Sequence, residues 1–439
     1  MSKPRSCILP FAAGLAIAMT AGSQPARANV EAASLLRAAV SMACNVRTHA
    51  QLQAMTRRLP NARPMGRQVR MSMMGWRHRF QVPGGTLTVE RLAANGRLRR
   101  VSAQYNSADG ERPTLLAMTD GDCRIETARR LHYDDAGNPG WIEDLDKGLE
   151  PTGAREALNP PVPVGRDPGG VPVALVDTGI NYLLPQIRHR LARGADNRVL
   201  GYDYWDLDNR PFDAHPVRSA FFPTRHGTKT ASVLLAEAPV VRLLPYRYPR
   251  PDMRRMGALI QDAATHGVRL VNLSLVSDDR EEWLPFYRVA RRHPEMLFIV
   301  AAGNDGRDIG RHPVYPAALP LDNMVTVTSA TAAGALASAA NWGADVVDVM
   351  TPGEDIPVID FFGRIDRASG SSYATARITA LAACLLAKHP NWWAPQLKAA
   401  LLRRAQPVRD PDAVAHGFID ADGPDFGAAC TYSRPTSGV

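Results

Sequence analysis

The chain has 439 residues, 45% hydrophobic and 22% charged, which is a globular composition and more length than one small domain needs. Its formal net charge is +9, from 52 Lys and Arg against 43 Asp and Glu. The arginines are scattered, as in Arg57-Arg58, Arg254-Arg255 and Arg403-Arg404, and no basic run is interleaved with aromatics. A generally basic surface is expected, and a nucleic-acid partner is not.

The first predicted element is a leader. Lys3 and Arg5 precede an apolar stretch from Ile8 to Met19, and Ala26-Arg27-Ala28 closes it with a small-x-small site. This predicts a secretory signal peptide over residues 1–28, cleaved after Ala28. The stretch is short of the ~20 residues a spanning helix needs, and nothing downstream is long and apolar enough, so no stable membrane anchor is expected. A secreted or periplasmic protein is. Loss of Cys7 with the signal leaves Cys44, Cys123, Cys384 and Cys430. Four cysteines in an exported chain permit two disulfides. Of the three pairings, the most local joins Cys44 to Cys123 and Cys384 to Cys430.

Residues 29–150 open with a helical pattern, "VEAASLLRAAVSMAC", with Leu36, Val40 and Ala43 on one face. Short alternating runs follow: "TLTVERL", "RLRRVSAQY" and "CRIETARRLHY". Pro83-Gly84-Gly85, Asn95-Gly96 and Gly137-Asn138-Pro139-Gly140 punctuate them. A small sheet of hairpins with a helix is predicted, without a catalytic constellation. Residues 151–170 read as a linker, richest in Pro and Gly from Glu156 to Gly170, and as an extended, cleavable segment.

From 171 to 420 the period changes, ahead of a C-terminal tail at 421–439. The apolar runs 171–176, 268–276, 296–302, 324–330 and 346–350 read as buried strands. Between them, Met256, Leu259, Ile260 and Ala263 fall at helical spacing before Gly267. "DDREEWLPFYRVARRHP" starts acidic, ends basic and stops at Pro294, as a helix does. This alternation predicts an α/β fold, a mostly parallel doubly wound sheet with helices on both faces, preceded by the small β-rich N-terminal domain. Functional groups in such sheets collect at the carboxyl ends of the strands.

Three such ends carry reactive side chains. In "VALVDTG", Asp177 follows an apolar strand directly, which suits either a fixed, partly buried carboxylate or a capping aspartate. In "TRHGTKTASVLLAEAP", His226 opens a helix. In "FIVAAGNDG", Asn304 can donate to an anion or simply form a turn. A fourth piece is "RASGSSYATARITALAAC". Gly370 lets backbone approach a ligand, and Ser372 stands at a helix N-terminus, where free N–H groups favour negative charge. Ala374, Ile378, Leu381 and Leu385 share a face of that helix. A base, an orienting acid, an anion donor and a hydroxyl thus occur together at loop–strand junctions.

Residues 171–406 resemble a subtilisin-family serine peptidase (subtilase, peptidase family S8). "VDTG" matches its aspartate motif, "HGTKTA" its histidine motif, "AAGN" its oxyanion asparagine strand and "GSSYA" its serine motif, with "YPAALPLDNMVTVTSA" and "KHPNW" in support. Departures are Ser371 for the usual threonine, Ala376 for a proline, Thr230 for an apolar residue, and Val276 and Ser277 for glycines that line the substrate groove in the family.

The resemblance implies an endopeptidase that hydrolyses peptide bonds through an acyl-enzyme. Ser372 would be the nucleophile, His226 the base, Asp177 its orienting acid and Asn304 an oxyanion donor. It implies protein or peptide substrates and no organic cofactor or catalytic metal. It further implies a prosegment, so residues 29–150 are expected to be a prodomain, acting as intramolecular inhibitor or chaperone, or an accessory domain. Many family members bind calcium. Asp203, Asp206, Asp208 and Asp213 are oxygen ligands without calcium spacing, and a solvated loop is expected there. The Glu-base, oxyanion-Asp acid peptidases are disfavoured by His226 and Asn304. Two other readings stay open: a catalytically silent binding protein on this fold, and an envelope-binding role carried by the N-terminal domain.

Overall fold

A computed structural model describes residues 24–46, 59, 61–70, 75–107, 112–250, 252–423 and 430. The basic start and apolar core of the predicted signal, and most of the 421–439 tail, lie outside the described residues. The chain divides into two units, one formed by residues up to Leu131 with Glu143–Arg155, the other by His132–Ile142 with the chain from Glu156.

The N-terminal elements are α1 (Gln24–Asn45) and eight strands: β1 (Arg63–Arg70), β2 (Gly75–Val82), β3 (Gly85–Ala94), β4 (Arg97–Asn106), β5 (Pro113–Thr119), β6 (Ile125–Tyr133), β7 (Pro139–Leu145) and β8 (Pro151–Ala157). They pair in chain order, antiparallel from β1 to β6. Asn95 and Gly96 both take positive φ, 52° and 72°, the mirror-turn geometry that matches strand twist. Leu36, Val40 and Ala43 of α1 are buried with Phe80, Leu87, Val89 and Val101 of the sheet, so one helix stripe covers one sheet face. The Cys44–Cys123 disulfide closes this unit. Residues 151–157, read from composition as the start of a linker, form β8 instead; backbone pairing along the sheet edge does not require an apolar side-chain pattern.

The second unit holds an eight-stranded sheet. Its strands are β9 (Val171–Asp177), β10 (Tyr202–Asp203), β11 (Val241–Arg247), β12 (Leu270–Leu273), β13 (Leu297–Ala301), β14 (Met324–Ala330), β15 (Val349–Pro352) and, after a two-stranded hairpin of β16 (Ile356–Ile359) and β17 (Ile365–Ala368), β18 (Gly417–Phe418). The order is β10-β11-β9-β12-β13-β14-β15-β18, and every pair is parallel. Helices α2 (Gly227–Glu237), α3 (Met256–Thr265), α4 (Leu284–Ala290), α5 (Ser371–Lys388) and α6 (Ala394–Leu402) connect and cover it. Helix α5 is buried over nearly its whole length, from Ser371 to Leu386, and packs on β12, β13 and β14. A helix covered on every side belongs in the middle of the fold, with its buried polar groups, Arg377 among them, paired. Cys384, in its buried half, is joined to Cys430, so both disulfides follow the most local pairing. Among the described residues, no helix is long and apolar enough to cross a membrane.

Candidate active site

Strands β9, β12 and β13 are adjacent and parallel, so their carboxyl ends deliver three loops to one edge. Asp177 is the last residue of β9, and its side chain is 1% exposed. A carboxylate this deep needs hydrogen bonds to stay charged. It accepts from the Thr178 N–H at 2.7 Å, and the His226 ring nitrogen Nδ1 lies 2.7 and 2.9 Å from its two oxygens. That geometry places the proton of a neutral imidazole on Nδ1 and leaves Nε2 as the acceptor.

His226 caps α2. The cap is brought against β9 by Gly227: a Cβ there would stand 2.0 Å from the Gly179 carbonyl oxygen and 3.0 Å from the Asp177 Cβ. Thr178 accepts from the backbone N–H groups of His226 and Gly227 at 3.0 and 2.9 Å, which fixes the helix start to the strand end. Burial by itself would push the His226 imidazole down. The charge and hydrogen bond of Asp177, with the charge of Asp213, outweigh it and raise the ring above its ordinary value.

Ser372 lies in the first turn of α5, where no i−4 carbonyl is available for its N–H. The cap, Gly370, has φ 145°, a conformation open to glycine. The ring of Tyr373, one residue on, is 6.0 Å from the His226 ring, so the histidine lies near the start of this helix. Ser371 is fully buried and its hydroxyl accepts the Gly303 N–H at 3.2 Å. Asn304, exposed just past β13, accepts the Ser371 N–H on Oδ1 at 2.8 Å. Because a backbone donor claims Oδ1, the amide Nδ2 is left to donate outward.

The structure therefore gathers Asp177, His226, Ser372 and Asn304 at one sheet edge. Two further residues were not assigned to this site from the sequence. Asn341 is fully buried. Its Oδ1 accepts from Asp305 and Arg307 N–H groups at 2.9 and 3.2 Å, and its Nδ2 donates to Ala302 O at 2.9 Å, strapping the loop that carries Asn304. The other is Asp213. The expected solvated acidic loop is overturned here, since Asp203 and Asp213 are fully buried. Asp203 pairs with Arg247 at 2.9 Å and Asp213 with threonines, so protein donors occupy these carboxylates in place of solvent. Burial drives the Asp203 carboxyl up to about 7 against the pull of Arg247. Val276, on the loop after β12, packs partly buried against the core, and its Cγ2 is 3.6 Å from where a Cβ on Gly303 would lie.

A model of the subtilase family matches residues 169–422, more than half of the chain, and the chain belongs to that family. It is similar to the thermophilic serine proteinase of Bacillus sp. (strain AK1), 29% identical over 245 residues that cover 52% of this chain and 55% of that protein. It is also similar to the cell wall-associated protease of Bacillus subtilis (strain 168), 23% identical over 62% of this chain and 29% of that protein. The chain spans about half or less of the length of these relatives. A lanthipeptide protease of known structure shares the fold, with a TM-score of 0.50 at 20% identity over 60% of this chain and 88% of that one.

Proposed function

We propose that the second unit is an exported serine endopeptidase. The observation that carries this reading is the His226 Nδ1 contact with both Asp177 oxygens, with the ring 6.0 Å from that of Tyr373, the residue after Ser372. A serine hydroxyl is a poor nucleophile at neutral pH and needs a base as it attacks. His226 Nε2 takes the Ser372 proton and returns it to the leaving amine, while Asp177 holds the tautomer and stabilises the imidazolium. The oxyanion accepts from Asn304 Nδ2 and the Ser372 N–H. Water then hydrolyses the acyl-enzyme. The steps call on groups of this chain and water, and on no catalytic metal or organic cofactor.

Export is supported by the leader-like N-terminus and the two disulfides, and the Bacillus subtilis relative is named as cell wall-associated. Residues 29–150 stand where a prodomain would, and their own core and disulfide fit a separately folding piece. The peptidase reading is tested with a serine-reactive fluorophosphonate probe on wild-type and Ser372→Ala proteins. Labelling that disappears in the variant is expected; a full-length wild type that stays unlabelled after cleavage within residues 156–170 sinks it. N-terminal sequencing tests processing: both proteins beginning at Asn29 would exclude self-cleavage.

A further inference from the structure

We propose that Asp213 is a positioning residue for the candidate site: a second buried carboxylate that clamps the Asp177 and His226 segments together and stabilises the His226 imidazolium. Its catalytic consequence rests on the peptidase reading above; its geometry does not.

The hydrogen-bond inventory carries the argument. The Thr178 hydroxyl accepts two backbone N–H groups, from His226 and Gly227, which fills its acceptor positions. Its single proton goes to Asp213 Oδ1 at 2.6 Å, a far better contact than Asp177 Oδ1 at 3.3 Å. Asp213 Oδ2 accepts from the Thr228 N–H at 2.9 Å and the Thr228 hydroxyl at 2.5 Å. The Thr228 hydroxyl itself accepts the Asn181 N–H at 2.9 Å. Asp213 thus meets donors on both oxygens. Burial and the nearby Asp177 charge push its carboxyl up, while the Thr178 and Thr228 donors pull it back down. The donor set favours the ionised form.

The topology gives that charge its use. Thr178 directly follows Asp177 at the end of β9, and Thr228 lies in the first turn of α2 behind His226. Asp213 therefore ties a strand end to a helix start at the point where acid and base must stay in register. Thr178, Asp213 and Thr228 are all buried, so water does not screen the charge. The groups facing His226 are Asp177 from β9, Asp213 from the preceding loop, Lys229 and Thr230 from α2, and Tyr373 from α5. Lys229 opposes the imidazolium but is paired with Asp366 at 2.7 Å. The Arg225 guanidinium contacts the Asp213 backbone carbonyl and the Glu156 carboxylate, not the Asp213 side chain.

The test reads the imidazole directly. His226 is titrated by NMR in the Ser372→Ala protein with and without Asp213→Asn, and probe-labelling rates are followed against pH with Ser372 intact. Removing one negative charge lowers the His226 pKa. The acid limb of labelling moves to lower pH with it, and the plateau rate falls roughly tenfold, well under the 10²–10³ that loss of a direct oxyanion donor costs in subtilisin itself. An unchanged His226 titration overturns the proposal. Should Asp213→Asn fail to fold, Thr228→Val is expected to lower the His226 pKa and Thr228→Ser to restore it; a Val variant that titrates like wild type overturns it equally. A shifted titration in a protein that never labels would defeat the peptidase reading and leave the coupling standing.

Discussion

Ser371 and Ser372 are chemically identical neighbours, yet the first is committed to backbone. Its hydroxyl holds the Gly303 N–H, and its own N–H holds Asn304. Ser371→Ala is expected to cost about 1–3 kcal/mol in chemical unfolding, the price of an orphaned buried donor, and to leave probe labelling intact. Asn304→Ala is expected to lower kcat by about 10²–10³, the size of this effect in subtilisin, with a smaller change in KM. The raised His226 pKa fixes a pH dependence. Below that pKa the ring is protonated and cannot act as base, so kcat/KM falls as pH drops through a value above 6.5. A profile flat down to pH 5 contradicts it. The placement of the four site residues was legible because Asp177 and Asn304 follow apolar runs, His226 and Ser372 open helical ones, and each lies within two residues of a glycine. Asp213 was not legible, because its partners Thr178 and Thr228 come from distant segments that meet only in the folded chain.

Between elements, two contacts tune the site. Val276, on the loop after β12, occupies space against Gly303. In the peptidase reading Val276→Gly widens the groove, so the ratio of kcat/KM for aromatic over small residues at the cleaved bond should rise; a pocket gain of a few methylenes is worth about 1–3 kcal/mol. Arg377, buried in α5, bonds Glu237 at the end of α2 at 2.7 Å and pairs with Asp422 at 2.5 Å. It ties the histidine helix to the serine helix. Arg377→Leu leaves Glu237 with an unpaired, half-enclosed charge and should lower stability by about 3 kcal/mol in urea unfolding. The long apolar strands and helices were legible from period alone, and β14 coincides with its predicted run. Strand β11 was not anticipated, since Arg242, Pro245 and Arg247 interrupt its apolar pattern. Arg247 is satisfied by Asp203, Asp206 and the Ala214 carbonyl, all from elsewhere, a compensation invisible in a local window.

At the scale of the molecule, each unit carries its own disulfide, closing separations of 79 and 46 residues. Loop-closure entropy assigns each about 4 kcal/mol. Replacing Cys384 and Cys430 by serine is expected to lower the Tm of the unit that labels with probe, whereas replacing Cys44 and Cys123 should spare it; equal effects would refute independent units. The division between a β-rich N-terminal part and a parallel α/β part could be read from the change of period. The fate of residues 156–170 could not, because side chains outside that stretch hold it: Tyr182 bonds the Pro160 carbonyl at 2.6 Å and Asn159 bonds Asp208 at 2.7 Å.

Cys384 lies inside the helix that begins with Ser372, so the covalent tie to Cys430 acts on the very element that presents the hydroxyl. On the export reading, these thiols stay reduced in the cytosol and oxidise after export. A precursor held back in the cytosol would carry a looser serine helix and a lower activity than the oxidised product. On the exported-peptidase reading, the redox difference across the membrane would then shield the producing cell, a safeguard separate from the proposed prodomain. Comparing probe labelling of reduced and oxidised protein at 37 °C measures how strong that safeguard is.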